Sequence, residues 1–421
     1  MRPVSLLDMD STKNISLSVR KNMSRLLLVL LFVFNPFIAM PFVLREIYYR
    51  KKYAQILLSI FMGCISMFYY PYGDSYRYME QLHLFRYLSF DEVFDFNSVM
   101  IIRSFNLVNM LMWIGARAGL TLELFRAILV FISFLLMYSV YNDIDGKDNS
   151  QNLYRRFIFF LIFTLSIPLY YITYGFRTGF GTCLFAYGLY HLMSSKQKIK
   201  GIVFIALAAF THFYFILFAL ILAVASSIIS GKRVMYILIV ASIGQMYIFN
   251  ILYGKIEFLT RIMDSYIYGD YGNDFTWTHG LLVKLLLRNG FAIMCAYYIF
   301  FHINKPSPNT KLLQNILYIC FGLLICSISF KTILERTIII TTLLVAVYLI
   351  ANSHLVKIQH ARIWLFLLCI GFTIPFIVAR DQYREARLER MTYYSLPQML
   401  LNTYPQEEVN KHVDIDGAFI K

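Results

Sequence analysis

LLLVLLFVFNPFIAMPFVL, residues 26–44, carries no charged side chain, and as a helix it nearly covers the ~30 Å hydrocarbon core of a bilayer. Runs of the same kind recur at 54–72, 122–141 and 312–330, with further candidates at 99–114, 157–174, 179–193, 201–225, 234–253, 281–301, 337–351 and 363–378. About twelve such segments predict an all-α polytopic membrane protein with about 11–12 hydrophobic helices. Composition agrees. The 421 residues are 59% hydrophobic and 15% charged, with a mean hydropathy of +0.60, where a soluble domain carries about 25% charged residues. The chain divides into a polar arm (1–25), one transmembrane domain (26–379) with outer-face loops at 73–98 and 254–280, and a polar tail (380–421). None of the polar stretches reaches the size of a soluble enzyme domain. The first apolar run is too long for a signal-peptide core and ends in Val43-Leu44-Arg45 rather than at a small-residue cleavage site, so it is expected to stay as a helix.

All six cysteines fall inside the apolar runs without paired spacing, which suggests neither a disulfide framework nor a metal site. The formal charge of +15 is spread over short loops and flanks. Lipid headgroups and the setting of orientation explain it better than nucleic acid. The basic loops at Lys196, Lys198, Lys200 and at Lys232, Arg233 read as cytoplasmic. Counting from them places Arg177, the turn near His212, residues 254–280 and the Lys331–Arg336 junction outside. Toward the N-terminus the count conflicts. Five basic residues precede the first run and four (Arg45, Arg50, Lys51, Lys52) follow it. If every run crosses, Asp74 faces the cytoplasm; if 99–120 dips in and returns, Asp74 faces out with the other candidates.

Ionisable groups at membrane depth are costly and mark sites. Arg177 stands in Tyr174-Gly175-Phe176-Arg177-Thr178-Gly179, a fixed cation suited either to a phosphate or to lipid headgroups. His212 follows Ala208-Ala209-Phe210-Thr211 in a run too long for one untilted span, so a break is expected there. An imidazole at that break suits proton transfer from a hydroxyl or a bond between helices. Glu335-Arg336 adds a second cation with a carboxylate beside it, a grip for a diphosphate or a plain ion pair. Asp74, after Gly73, is the best carboxylate for catalysis or sugar contact, and equally a turn residue. Within 264–279, Tyr266, Tyr271, Trp277 and Asp270 mix flat apolar faces with carboxylate, as sugar sites or interfacial belts do. Arg380, Arg384 and Arg387 recur at helical spacing in the tail, as a lipid-surface helix or an anion site would have them.

The order Gly73-Asp74-x-x-x-Tyr78, Gly175-Phe176-Arg177-Thr178, a Lys-rich turn, Ala208-x-x-x-His212 and Glu335-Arg336 opening a late span resembles the Wzy-type polysaccharide polymerases of the EpsG-like branch. Thr178 stands where that family usually has glutamine. The resemblance implies a membrane glycosyltransferase of GT-C-like architecture in the bacterial inner (cytoplasmic) membrane, needing no cofactor. Its substrates are then undecaprenyl-diphosphate-linked oligosaccharide repeat units, with membrane lipid around it and a chain-length regulator and a flippase as candidate partners. Arg177 and Arg336 would hold the diphosphate, and His212 or Asp74 would deprotonate the acceptor hydroxyl. A lipid-linked oligosaccharide flippase and an O-antigen ligase remain open. Clustering of Arg177, His212 and Arg336 at one face favours a glycosyltransferase, and a lining along a cavity through the protein favours the transporter.

Overall fold

The computed structural model describes residues 22–94, 106–146, 152–193, 197–212, 214–226, 230–255, 260, 279–303, 310–328, 331–378 and 387–414. Among these the chain is built of helices, without a sheet. Among the described residues, three helical stretches, Leu122–Asp145, Leu153–Tyr174 and Ile333–Ala351, are long and apolar enough to cross a membrane alone. Several of the apolar runs are interrupted.

Residues 26–44 are the clearest case. Helix α1 (Asn22–Phe34) stops at Asn35, whose backbone is extended (φ −156°, ψ 101°) and whose side chain accepts from the Ile38 amide at 3.0 Å to cap α2 (Pro36–Tyr48). Pro36, at the first helical position, has no N–H to continue the ladder. The chain then folds back on itself. The Arg25 guanidinium lies 5.2 Å from the Tyr53 ring, and the Tyr53 hydroxyl donates to Glu46 at 2.7 Å. A continuous helix would hold Arg25 and Glu46 about 32 Å apart. The hairpin therefore brings Arg25 to the end of the bundle that holds Arg45, Arg50, Lys51 and Lys52; the basic residues before Arg25 lie outside the described residues.

Helix α3 (Lys52–Met67) rises from that end and packs against α6 (Leu122–Asp145), which runs back toward it. Asp145 there pairs with Arg50 at 3.6 Å and Arg156 at 3.3 Å, the latter side chain only 6% exposed. Asp145→Ala leaves the Arg156 charge without this carboxylate, and the expected loss is about 1–3 kcal/mol, below the full cost of breaking a wholly buried pair. Thermal unfolding in detergent reads it as a lower midpoint.

Between α3 and α6 the described residues stay at the opposite end. Helix α4 (Asp74–Phe85) occupies part of the stretch read as a loop, and α5 (Leu107–Arg117) is about 16 Å long, half a bilayer. Entry and exit of this excursion are tied together: Arg86 donates to the Leu120 carbonyl at 3.2 Å, and Arg117 to the Leu88 carbonyl at 2.6 Å. The described ends of this stretch, residues 86–88 and 117–120, therefore lie side by side, as the returning route has them.

Helices α7 (Leu153–Ser166) and α8 (Leu169–Tyr174) are separated at Pro168, and α9 (Phe176–Met193) follows Gly175. The expected break near His212 is present, between α10 (Lys198–Thr211) and α11 (Tyr214–Ser226). Helices α9 and α10 touch backbone to backbone, since a Cβ on Gly188 would sit 2.8 Å from the Gly201 carbonyl oxygen. Helices α12 (Gly231–Leu252), α13 (His279–His302), α14 (Lys311–Cys326), α15 (Lys331–Ala351) and α16 (Ile358–Val378) complete the body. The six cysteines are all free thiols.

The tail does not hang apart from the helices. Tyr404 donates to the Phe68 carbonyl at 2.8 Å and Asn402 to the Met67 carbonyl at 3.1 Å, so residues 387–414 cover the α3 C-terminus. Arg387 is engaged by Glu408 through two bonds of 2.6 and 2.8 Å, which accounts for it without an external anion. Arg380 and Arg384 lie outside the described residues.

Candidate active site at one end of the bundle

Arg177 sits in the first turn of α9. Its Nε donates to the Tyr78 hydroxyl at 3.1 Å, and its guanidinium carbon is 5.8 Å from the centre of that ring. Tyr78, buried on α4, stacks on Phe176 at 4.5 Å with 12° between planes. The Tyr78 ring, itself held by Phe176, and a hydrogen bond from the same side chain thus fix the direction of the guanidinium. The position of α9 itself depends on Gly179, where a Cβ would approach the Tyr171 and Ile172 backbone and come within 2.6 Å of Ile172 Cα. No other residue fits that contact without moving α8 from α9.

His212 occupies the break between α10 and α11, outside both helices, with an extended backbone (φ −156°, ψ 128°). Its Nδ1 accepts from the Tyr214 amide at 3.0 Å. In the neutral ring the proton is therefore on Nε2, and the side chain offers a hydrogen-bond donor at that nitrogen. Arg336, on α15, lies 6.0 Å from the Tyr214 ring centre, and Tyr214 in turn bonds Thr337 through its hydroxyl. Burial first, and then the charges of Arg336 and Arg177, push the His212 pKa down to about 3. The unfolded chain takes up a proton near the ordinary value of 6.5 and the folded one does not, so stability falls as pH drops from about 6.5 toward 3. Wild type is expected to lose thermal stability over that interval, and His212→Gln, which does not titrate, to lose less.

Arg177, Arg336 and His212 come from three separate parts of the chain and gather around Tyr78 and Tyr214. Asp74 is at the same end, one turn before Tyr78 on α4, but its side chain is 57% exposed and pairs with Arg77 at 3.6 Å. Glu335 and Arg336 do not act as one grip. Arg336 is at the Tyr214 ring, whereas Glu335 lines a pocket with Tyr69, Tyr170, Tyr171 and Asn289. Tyr266, Asp270, Tyr271 and Trp277 lie outside the described residues.

Two residues of this end are missing from the sequence candidates. Tyr78 is one: the order Gly73-Asp74-x-x-x-Tyr78 contains it, but its sequence context alone points to no role. Arg126 is the other. It is fully buried, donating to the Tyr69 carbonyl at 2.8 Å and the Ser75 hydroxyl at 3.3 Å, with Glu123 one turn before it. Glu123 accepts from the Tyr404 amide at 3.2 Å. Arg126 therefore ties α6 to the bend that starts α4 and so places Tyr78. Its signal is legible, a charge within the apolar run 122–141.

Comparison with known proteins yields one family. The family model of the EpsG family matches residues 52–395. No curated protein and no solved structure matches the chain.

Proposed function

Because this chain belongs to the EpsG family, membrane proteins of polysaccharide polymerisation, we propose that it joins undecaprenyl-diphosphate-linked oligosaccharide repeat units into surface polysaccharide at the outer face of a bacterial inner membrane. The observation that carries this reading is the meeting of Arg177, Arg336 and His212 at one end of the helical body. A cluster confined to one end favours bond-making at one face over the passage of a lipid headgroup across the membrane.

The chemistry follows from the groups present. A lipid diphosphate is a good leaving group once its charge is neutralised. Arg177 and Arg336 supply two guanidiniums able to fork onto its oxygens, and His212 adds a neutral donor from Nε2. Tyr78 and Tyr214 hold the two arginines in place, so little reorganisation accompanies departure of the diphosphate. Attack by an acceptor hydroxyl on the anomeric carbon, in line with the leaving oxygen, inverts that centre.

Purified protein reconstituted with lipid-linked repeat units, its glycans separated on a gel, tests the proposal. A ladder of polymer is expected. Single units left unchanged by folded protein would favour a transporter, and transfer onto a different acceptor lipid without a ladder would favour a ligase.

A further inference from the structure

Glu335 opens onto a pocket of about 120 Å³ between α8, α13, α15 and α16. One wall is aromatic: Tyr69, Tyr170 and Tyr171 line it, with the Tyr170 hydroxyl 2.6 Å from that of Tyr72. Ile338, Ile339 and Leu368 line it as well, and the buried Asn289 faces the same space. Flat ring faces beside one carboxylate and one amide suit a pyranose, whose C–H face stacks and whose hydroxyls bond to both polar groups. The carboxylate disfavours a phosphate there.

The pocket also has the right neighbour. Glu335 and Arg336 are consecutive, about 3.8 Å apart at Cα, and lie on adjacent faces of α15. Tyr171, in the pocket wall, is in backbone contact range of Gly179, two residues beyond Arg177. The tyrosine-lined space and the arginine cluster thus adjoin across α8 and α15. Asp74 is exposed on α4 and Glu123 is buried against Tyr404, and neither lines this pocket. His212 presents a donor.

We propose that this pocket seats the acceptor sugar and that Glu335 is the catalytic residue that takes the proton from its hydroxyl. The assignment rests on the polymerase reading. In the step, the acceptor oxygen forms a bond to the donor's anomeric carbon while its proton passes to the Glu335 carboxylate. The bond from that carbon to the diphosphate oxygen breaks, and the electron pair leaves with the diphosphate, held by Arg177 and Arg336. Glu335 then releases its proton to water.

The test uses the full-length protein in detergent and lipid-linked units extracted from host cells lacking it. Two quantities are read: the glycan ladder, and the protection of Thr342→Cys, in the pocket wall, from alkylation by soluble repeat-unit oligosaccharide, measured by peptide mass. Glu335→Gln is expected to slow polymer formation by about 10²-fold or more while protection of the cysteine, in the double variant, stays within about threefold. Glu335→Asp is expected to recover part of the rate, and Tyr170→Ala to weaken protection about tenfold. A Glu335→Gln enzyme as fast as wild type overturns the role of Glu335. A ladder without protection overturns the pocket and leaves the polymerase standing; protection without any ladder from wild type retains the saccharide pocket and removes both the polymerase and the proton transfer assigned to Glu335.

Discussion

Arg177→Ala is expected to lower polymer formation by about 10²–10³-fold, the cost of removing one preorganised donor from a developing anion, without unfolding the protein. The side chain is only partly buried, and α4 is also packed against α5, α6 and α8. Arg177→Lys is expected to rescue little. A lysine keeps the charge but cannot bond Tyr78 and fork onto a diphosphate from one planar group. Arg336→Ala should cause a loss of the same order, and the double variant less than the product of the two, because both arginines act on one leaving group. Rates from membranes carrying matched amounts of each variant check all four.

Gly179→Ala is expected to be nearly as damaging by a different route. The added methyl lands on the Tyr171–Ile172 backbone, which cannot yield as a side chain end does. Overpacking of this kind costs about 1–3 kcal/mol, and the displacement also moves Arg177, two residues away, relative to Tyr78. The variant should therefore show a lowered unfolding midpoint together with a loss of activity, whereas Arg177→Ala loses activity alone. Gly244→Ala, with no atom near its added Cβ, serves as the control and should do neither.

Hydrophobic content and run length made the helical membrane class legible, because burying uncharged stretches near 20 residues long leaves few other folds. The interruptions were less visible. Asn35-Pro36 sits inside an uncharged run whose length alone suggests one crossing, and only the cap and the missing proline N–H turn it into a hairpin. At His212 the excess length of the run was the clue, and the break is where that clue put it. Among site residues, Arg177, His212 and Arg336 stood out as polar groups beside apolar segments. Their convergence was not readable, since it depends on α9, α10 and α15 meeting at one end. The tautomer of His212 was beyond reach as well, because it is set by the Tyr214 amide folding back onto Nδ1. Glu335 and Arg336 read as a pair in sequence, yet consecutive helical residues point about 100° apart, and the two serve different spaces.

Binding of undecaprenyl diphosphate to purified wild type, Arg177→Ala and Arg336→Ala, followed by thermal shift or by titration in detergent, tests most directly whether these separated segments build one diphosphate site. Affinity about tenfold weaker in each variant, with His212→Ala weaker by a smaller factor, is the predicted result. Equal affinity in all four proteins would contradict the account.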